Sequence, residues 1–342
     1  MYFWNNDYNC SAHNNIIKAL ADNAHESYNG YGLDDWCEKA RAVIKSSLRN
    51  DAVDIHFLVG GTQTNVTVID HILRPWEAAV CVGSGHINVH ETGALEHLGH
   101  KCLTVDGVEG KLTAKVLEEL AKSFVDSDIK EHIVEPKLVY ISEPTELGTV
   151  YSKVELQELK VICKKYGYYL FIDGARLGYG LAATDVAFAD LPALCDVFYI
   201  GGTKCGALFG EAVVFVNSAL NQHFRSSIKQ NGGMLAKGWL LGLQFFELFK
   251  DGLYFEITRK AVEQAKLLKQ AFAECGISEY MDSPTNQLFV ILNDKQLQKL
   301  SAHHLPEVQW RNTDGSMVVR FCTSWSTSDE ALSCLIADLK NL

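Results

Sequence analysis

Two neighbouring stretches decide the fold: YYLFIDGARLGYG (168–180) and DVFYIGGTKCGALFGEAVVF (196–215). In the first, an apolar run stops abruptly at Asp173 and Gly174. In the second, an apolar run stops at a Gly-Gly turn, Lys204 follows, and a further apolar run begins after more glycine. Runs this short and this continuously apolar suit strands covered on both faces, as in a mainly parallel sheet. A carboxylate at the carboxyl end of such a strand points into the crevice where open α/β sheets bind ligands. Alone, Asp-Gly reads as a turn or a helix cap, and a lysine in a glycine-rich turn reads as a surface lysine. Held between small residues and desolvated, however, an amine loses affinity for its proton and becomes nucleophilic toward an aldehyde.

Outward from these stretches the same texture repeats. Strand-length apolar runs occur at 53–59, 79–82, 102–105, 137–142, 168–172, 196–200 and 212–216. Segments of helical periodicity lie between them. In 152–166, Val154, Leu156, Leu159 and Ile162/Cys163 fall near one face, Ser152 and Glu155 fit a capping box, and Gly167 fits a C-terminal stop. Alternating strands and helices predict an α/β fold. Beyond about residue 236 a long helical stretch (237–274) leads to strand candidates at 287–292 and 317–322 and a closing helix from 328. The expected organisation is an N-terminal arm (1–14), a large α/β domain (15–236) and a small C-terminal α+β domain (237–342).

Composition excludes several classes. A formal charge of −11 without any basic block argues against nucleic acid, and no apolar stretch reaches the ~20 residues of a membrane helix. Ten cysteines are scattered, with no CxxC pair, and the start MYFWNNDYNCSAHNN lacks the features of a signal peptide. Reduced thiols in a cytoplasmic protein are expected. No GxGxxG follows the first strand, which disfavours a dinucleotide enzyme. VGGTQTN (59–65) follows that strand instead. Its glycines, the Thr62 hydroxyl and the amides of a following helix form a candidate anion cradle, although no GK[ST] makes it a nucleotide loop.

Taken together, these stretches resemble the fold-type I enzymes that use pyridoxal 5′-phosphate (PLP), on the threonine aldolase and β-eliminating lyase branch. The likeness covers most of the chain: NDY (6–8), YGLDD (31–35), FLVGGTQTN (57–65), GHINVHETGA (85–94), SEPTELGTVYS (142–152), FIDGARLGYG (171–180), GGTKCGALFG (201–210) and VVRFCTSWST (318–327). The resemblance implies a large domain with a mainly parallel seven-stranded sheet and a small C-terminal domain. It also implies a homodimer or homotetramer with a shared site, Tyr31 reaching the neighbour.

The roles implied are specific. Lys204 forms the Schiff base. Asp173 pairs with the pyridinium nitrogen so that the ring acts as an electron sink. His86 stacks on the ring, and Gly61, Thr62 and Gln63 hold the phosphate. Arg176, also against the cofactor, clamps the substrate carboxylate with Arg320, with Asn6 contributing from the arm. The implied reaction is cleavage of β-hydroxy-α-amino acids to glycine and an aldehyde, with His86 or His132 placing the base. Elimination to pyruvate, transamination, and a non-catalytic cofactor-binding role are the alternatives.

Three departures from the family pattern bear on substrate choice. Asn6 stands where serine is usual, Leu235 in KQNGGMLAKG (229–238) where arginine is common, and SEPT (142–145) where ENT is usual. Lys229 or Lys237 are candidates to supply the cation that Leu235 lacks. Four histidines (His86, His90, His97, His100) would share about 80° of one helix face if 86–100 were helical. Gly93 and Gly99 weaken that helix, and no carboxylate or cysteine completes a tetrahedral set, so no metal is expected.

Overall fold

The computed structural model describes residues 1–342. Thirteen strands form three sheets: β1 (Tyr2–Phe3), β2 (Asp54–Leu58), β3 (Glu77–Val82), β4 (Lys101–Val105), β5 (Glu135–Ser142), β6 (Tyr169–Asp173), β7 (Val197–Gly201), β8 (Glu211–Phe215), β9 (Glu279–Met281), β10 (Gln287–Leu292), β11 (His304–Leu305), β12 (Glu307–Arg311) and β13 (Met317–Cys322). The central sheet has seven strands in the order β2-β8-β7-β6-β5-β3-β4. Only β8 runs against the others, pairing antiparallel with both β7 and β2. This is the mainly parallel α/β sheet that the apolar runs predict.

Alternation along the strands builds two cores. Ile55, Val80, Val139, Ile172, Phe198 and Val214 face one cluster, while Leu58, Cys81, Tyr140, Phe171, Tyr199 and Val213 face the other. Asp173 has the parity of Phe171, so it projects on the same face as Tyr140 and Tyr199 of the flanking strands. The 102–105 run becomes β4 at the sheet edge, where it is only partly covered rather than buried on both faces.

Helix Lys153–Tyr166 carries both halves of the Ser152/Glu155 capping box and ends at Gly167 in the left-handed region. Leu156, Leu159 and Cys163 are buried. Val154 instead faces solvent, one heptad from the equally exposed Val161. The stretch 237–274 is two helices, Trp239–Phe249 and Leu253–Glu274, because Gly252 takes φ +76° between them.

The C-terminal sheet, order β12-β13-β10-β9, is antiparallel and packs on helices Leu253–Glu274 and Asp329–Leu339. The arm belongs to this layer at its start. β1 pairs with β11, and Trp4 is buried in the C-terminal core. From there the arm runs to the cleft between the two sheets.

Candidate active site

Glycine lets the carboxyl ends of β6 and β7 meet. A Cβ on Gly174 would lie 2.0 Å from the Tyr199 carbonyl oxygen, and one on Gly201 would lie 2.2 Å from that of Ala175. Beyond β7 the turn is pinned from below. Glu211 at the start of β8 accepts from the Gly202 amide (3.1 Å) and the Thr203 hydroxyl (2.8 Å), and the Tyr179 hydroxyl donates to the Lys204 carbonyl (2.7 Å). Burial, reinforced by the Arg176 charge, lowers the Lys204 pKa, against the pull of Asp7, Asp173 and Glu211. The amine is thereby poised to act as a nucleophile.

Asp173 borders a cavity of about 400 Å³, partly open to solvent, that is also lined by Gly61, Asn65, His86, Ser142, Pro144, Arg176 and Lys204. Oδ1 accepts from the Ala175 amide (2.9 Å) and the Tyr199 hydroxyl (2.5 Å), and Oδ2 from Asn65 (2.9 Å) and the Tyr140 hydroxyl (2.5 Å). Burial alone would raise its pKa, but His86 and these donors hold it below the usual carboxylate range. Buried Glu91 completes the set by accepting from Asn65 (2.7 Å) and pairing with His86 Nδ1 (2.8 Å). Burial works against the His86 proton, yet Glu91 and Asp173 together raise its pKa.

A wider, solvent-open cleft of about 780 Å³ adjoins this cavity and brings Arg176 and Arg320 together with Tyr8, His90, Gln287 and Glu307. Arg176 presents Nε and Nη2 to Asp7 at 2.6 and 3.1 Å. Asn286 supports Asp7 at 3.0 Å. Although burial opposes it, the charges of Arg176 and Lys204 hold Asp7 ionised below the ordinary range. Arg320 reaches the Asn5 carbonyl (2.9 Å), Gln287 (3.3 Å) and the half-exposed Glu307.

The structure thus gathers Lys204, Asp173, His86, Gly61, Arg176 and Arg320 around two adjoining cavities. Thr62 and Gln63 lie in the first turn of helix Gly61–Ile72. Thr62 is exposed, and Gln63 is tied to the Asn231 carbonyl (3.2 Å). Asn6 turns its side chain to the Tyr8 amide and lines neither cavity; of the arm, Tyr8 lines the wide cleft and Asp7 acts through its pairing with Arg176. His132 is not gathered. It is exposed on a short turn before β5, at the opposite end of that strand from Ser142, roughly 30 Å away. Lys229 and Lys237 are exposed, with the Lys229 ammonium 5.0 Å from the Tyr31 ring. Asp7, Asn65, Glu91, Tyr140, Glu146 and Tyr199 are site residues that the sequence reading did not assign.

The histidine segment is not one helix. Residues His86–Val89 and Ala94–His97 are separate turns, parted at Gly93 (φ +68°). Elsewhere His304, Cys334 and Asp338 bring donor atoms within 4.8 Å of one another. Trp4 donates its indole N–H to His304 Nδ1 (3.1 Å), which leaves the proton on Nε2 facing Asp338 and no lone pair there for a metal. All ten cysteines are free. No helix is long and apolar enough to cross a membrane.

Residues 13–295 match the family described as Beta-eliminating lyase. A low specificity L-threonine aldolase of Pseudomonas sp. (strain NCIMB 10558) is 30% identical over 327 residues, 94% of this chain and 91% of the relative. The chain belongs to the beta-eliminating lyase family, on its threonine aldolase branch. Among solved structures of similar proteins, the threonine aldolase of Leishmania major superposes with a TM-score of 0.97 at 41% identity, covering 100% of this chain and 99% of that one. A Sphingomonas wittichii serine palmitoyltransferase shares the fold alone, with a TM-score of 0.74 at 15% identity over 99% of this chain and 86% of its own. The chain is therefore a fold-type I, PLP-dependent lyase. Its cavity fits that cofactor chemically. A buried ionised carboxylate, a part-buried lysine of lowered pKa and the start of a twelve-residue helix converge there.

Proposed function

We propose that this enzyme cleaves β-hydroxy-α-amino acids of the threonine and allo-threonine type to glycine and an aldehyde. The observation that carries the reading is the position of Lys204 where the cofactor cavity opens into a cleft holding two arginines. When bound, PLP draws the electrons of the breaking bond away from the substrate's α-carbon. Lys204 Nζ would hold the cofactor through its amine. Asp173 would hold a proton at the ring nitrogen, His86 would pack against the ring, and Gly61, Thr62 and Gln63 would hold the phosphate. Arg176 and Arg320 orient the substrate carboxylate, each already beside a carboxylate of the chain, Asp7 and Glu307.

We further propose a cytoplasmic homodimer or homotetramer. Exposed Tyr31 and Leu33, flanked by Arg225 and Lys229, are a surface suited to a second copy, and ten free thiols suit a reducing compartment.

The test has two parts. Borohydride reduction of the PLP-loaded protein followed by peptide mapping is expected to mark Lys204, and modification elsewhere overturns the site. Threonine or allo-threonine is expected to yield glycine and acetaldehyde. Pyruvate from serine or cysteine, with no aldehyde from threonine, would overturn the aldolase reading in favour of elimination.

A further inference from the structure

Four residues line both the cofactor cavity and the wide cleft: His86, Glu146, Arg176 and Lys204. Three have roles above, and Glu146 has none. We propose that Glu146 is the catalytic base that takes the proton from the substrate's β-hydroxyl group. The inference rests on the aldol-cleavage reading and deepens it.

Substrate geometry places that hydroxyl at the junction of the cavities. The α-carbon hangs between the position of Lys204, which its amine takes over, and the arginines that receive its carboxylate. The β-oxygen lies two bonds from the α-carbon, so it falls among the polar side chains that border both spaces. With Lys204 and Asp173 given to the cofactor, the titratable acceptors that border the wide cleft are His86, His90, Glu146, Glu307 and Tyr8.

Chemistry removes four of the five. His86 already pairs through Nδ1 with buried Glu91, and its raised pKa makes it a holder of its own proton. His90 and Tyr8 are exposed and border only the outer cleft, and Glu307 is paired with Arg320. Glu146 accepts from the His86 amide (2.9 Å) and the Ser142 hydroxyl (2.5 Å), both on Oε1. Oε2 bonds to no other residue and remains available to a ligand.

The surroundings tune this carboxyl for the task. Burial raises its pKa, and Asp173 adds to the rise, while the Ser142 hydroxyl and the His86 charge oppose it. Lys204 and Arg176 share its cavities, Tyr140 lies behind Ser142, and Cys81 is the thiol of β3 nearest the loop that carries His86. A carboxyl raised above its ordinary range is a stronger base once ionised, and returns the proton more readily than a histidine that holds its own. In the step, the O–H bond breaks toward Oε2 and the oxygen's electrons form the aldehyde C=O. The Cα–Cβ electrons pass to the α-carbon side, and the α-carbon later takes up one proton. One proton has moved from oxygen to carbon, so no oxidant or reductant is needed.

Glu146→Gln keeps an oxygen for the His86 amide and Ser142 but cannot take a proton. Its kcat on threonine is expected to fall by about 10²- to 10³-fold with KM within about threefold, and the acidic limb of its pH profile to disappear. Exchange of the α-hydrogen of glycine in D₂O, followed by NMR, uses the cofactor site but no β-hydroxyl, and is expected to stay within about threefold of wild type. A kcat within about fivefold of wild type, or equal loss of cleavage and exchange, overturns the proposal. A measurement on the unmutated enzyme stands beside the variant. As pH falls, threonine cleavage should drop before glycine exchange does, and coincident acidic limbs overturn the proposal. Wild-type enzyme that exchanges glycine but never cleaves threonine refutes the aldolase reading itself, an outcome distinct from all of these.

Discussion

Arg320 shows how a single side chain sets substrate affinity in this site. Its guanidinium is held by the Asn5 carbonyl and Gln287, and it faces Glu307, a carboxylate that competes with the one a substrate would bring. Glu307 is about half exposed, so its hold is worth about 0.4–1 kcal/mol. Glu307→Gln should therefore lower the KM for threonine about two- to fivefold with little change in kcat. Steady-state kinetics check this, and an unchanged or higher KM would show that Glu307 does not occupy the substrate's place. Lys204 and Asp173 stood out in the sequence because each ends or follows an apolar run, whereas His86 and the two arginines entered only through the family resemblance. Tyr140 and Tyr199 did neither, although both match the parity of Asp173 across β5, β6 and β7. Strand register is needed to see that, and a single strand does not carry it. Glu146 was hidden for a related reason, since nothing local in SEPTELG tells which of its two carboxyls faces a cavity.

At the scale of elements, the meeting of the β6 and β7 ends is the most demanding contact in the fold. A methyl group on Gly174 would lie 2.0 Å from the Tyr199 carbonyl oxygen and 3.0 Å from the Leu177 Cβ, both fixed by strand and helix. Gly174→Ala should cost about 3 kcal/mol or more, seen as a lowered thermal midpoint and poor soluble yield. Gly83→Ala, with nothing within 4 Å and no left-handed backbone, should stay within about 0.5 kcal/mol of wild type. Equal midpoints for the two variants would mean that the β6 and β7 ends have room to part. Strand and helix identities were largely readable from periodicity. Strand order was not, which is why β4 reads as a buried strand yet lies at the edge. The break at Gly252 was equally hidden, because one left-handed residue leaves the apolar period on either side almost intact.

Across the whole molecule, stability and pH are tied through buried carboxyls that the cofactor site does not use. Glu143 is buried behind the site, accepting from the Tyr151 amide (2.9 Å) on Oε2, while Oε1 is buried without a partner. Burial pushes its pKa up to about 8, against the Tyr151 amide and the Lys111 charge, with Glu155 adding slightly to the rise. Below the ordinary carboxyl pKa, folded and unfolded chains both hold the proton. Between that value and about 8 the unfolded chain releases the proton while the folded chain keeps it, so this group makes stability decline as pH rises. Above about 8 the folded chain releases it too, and the loss levels off. Its full extent is on the order of a few kcal/mol. Thermal midpoints of the wild-type protein should thus fall between pH 5.5 and 8.5 by more than those of Glu143→Gln, whose side chain stays neutral throughout (roughly the window between the two pKa values). Parallel curves for the two proteins would mean that Glu143 is ionised in the folded chain, and that its buried oxygen has found a partner.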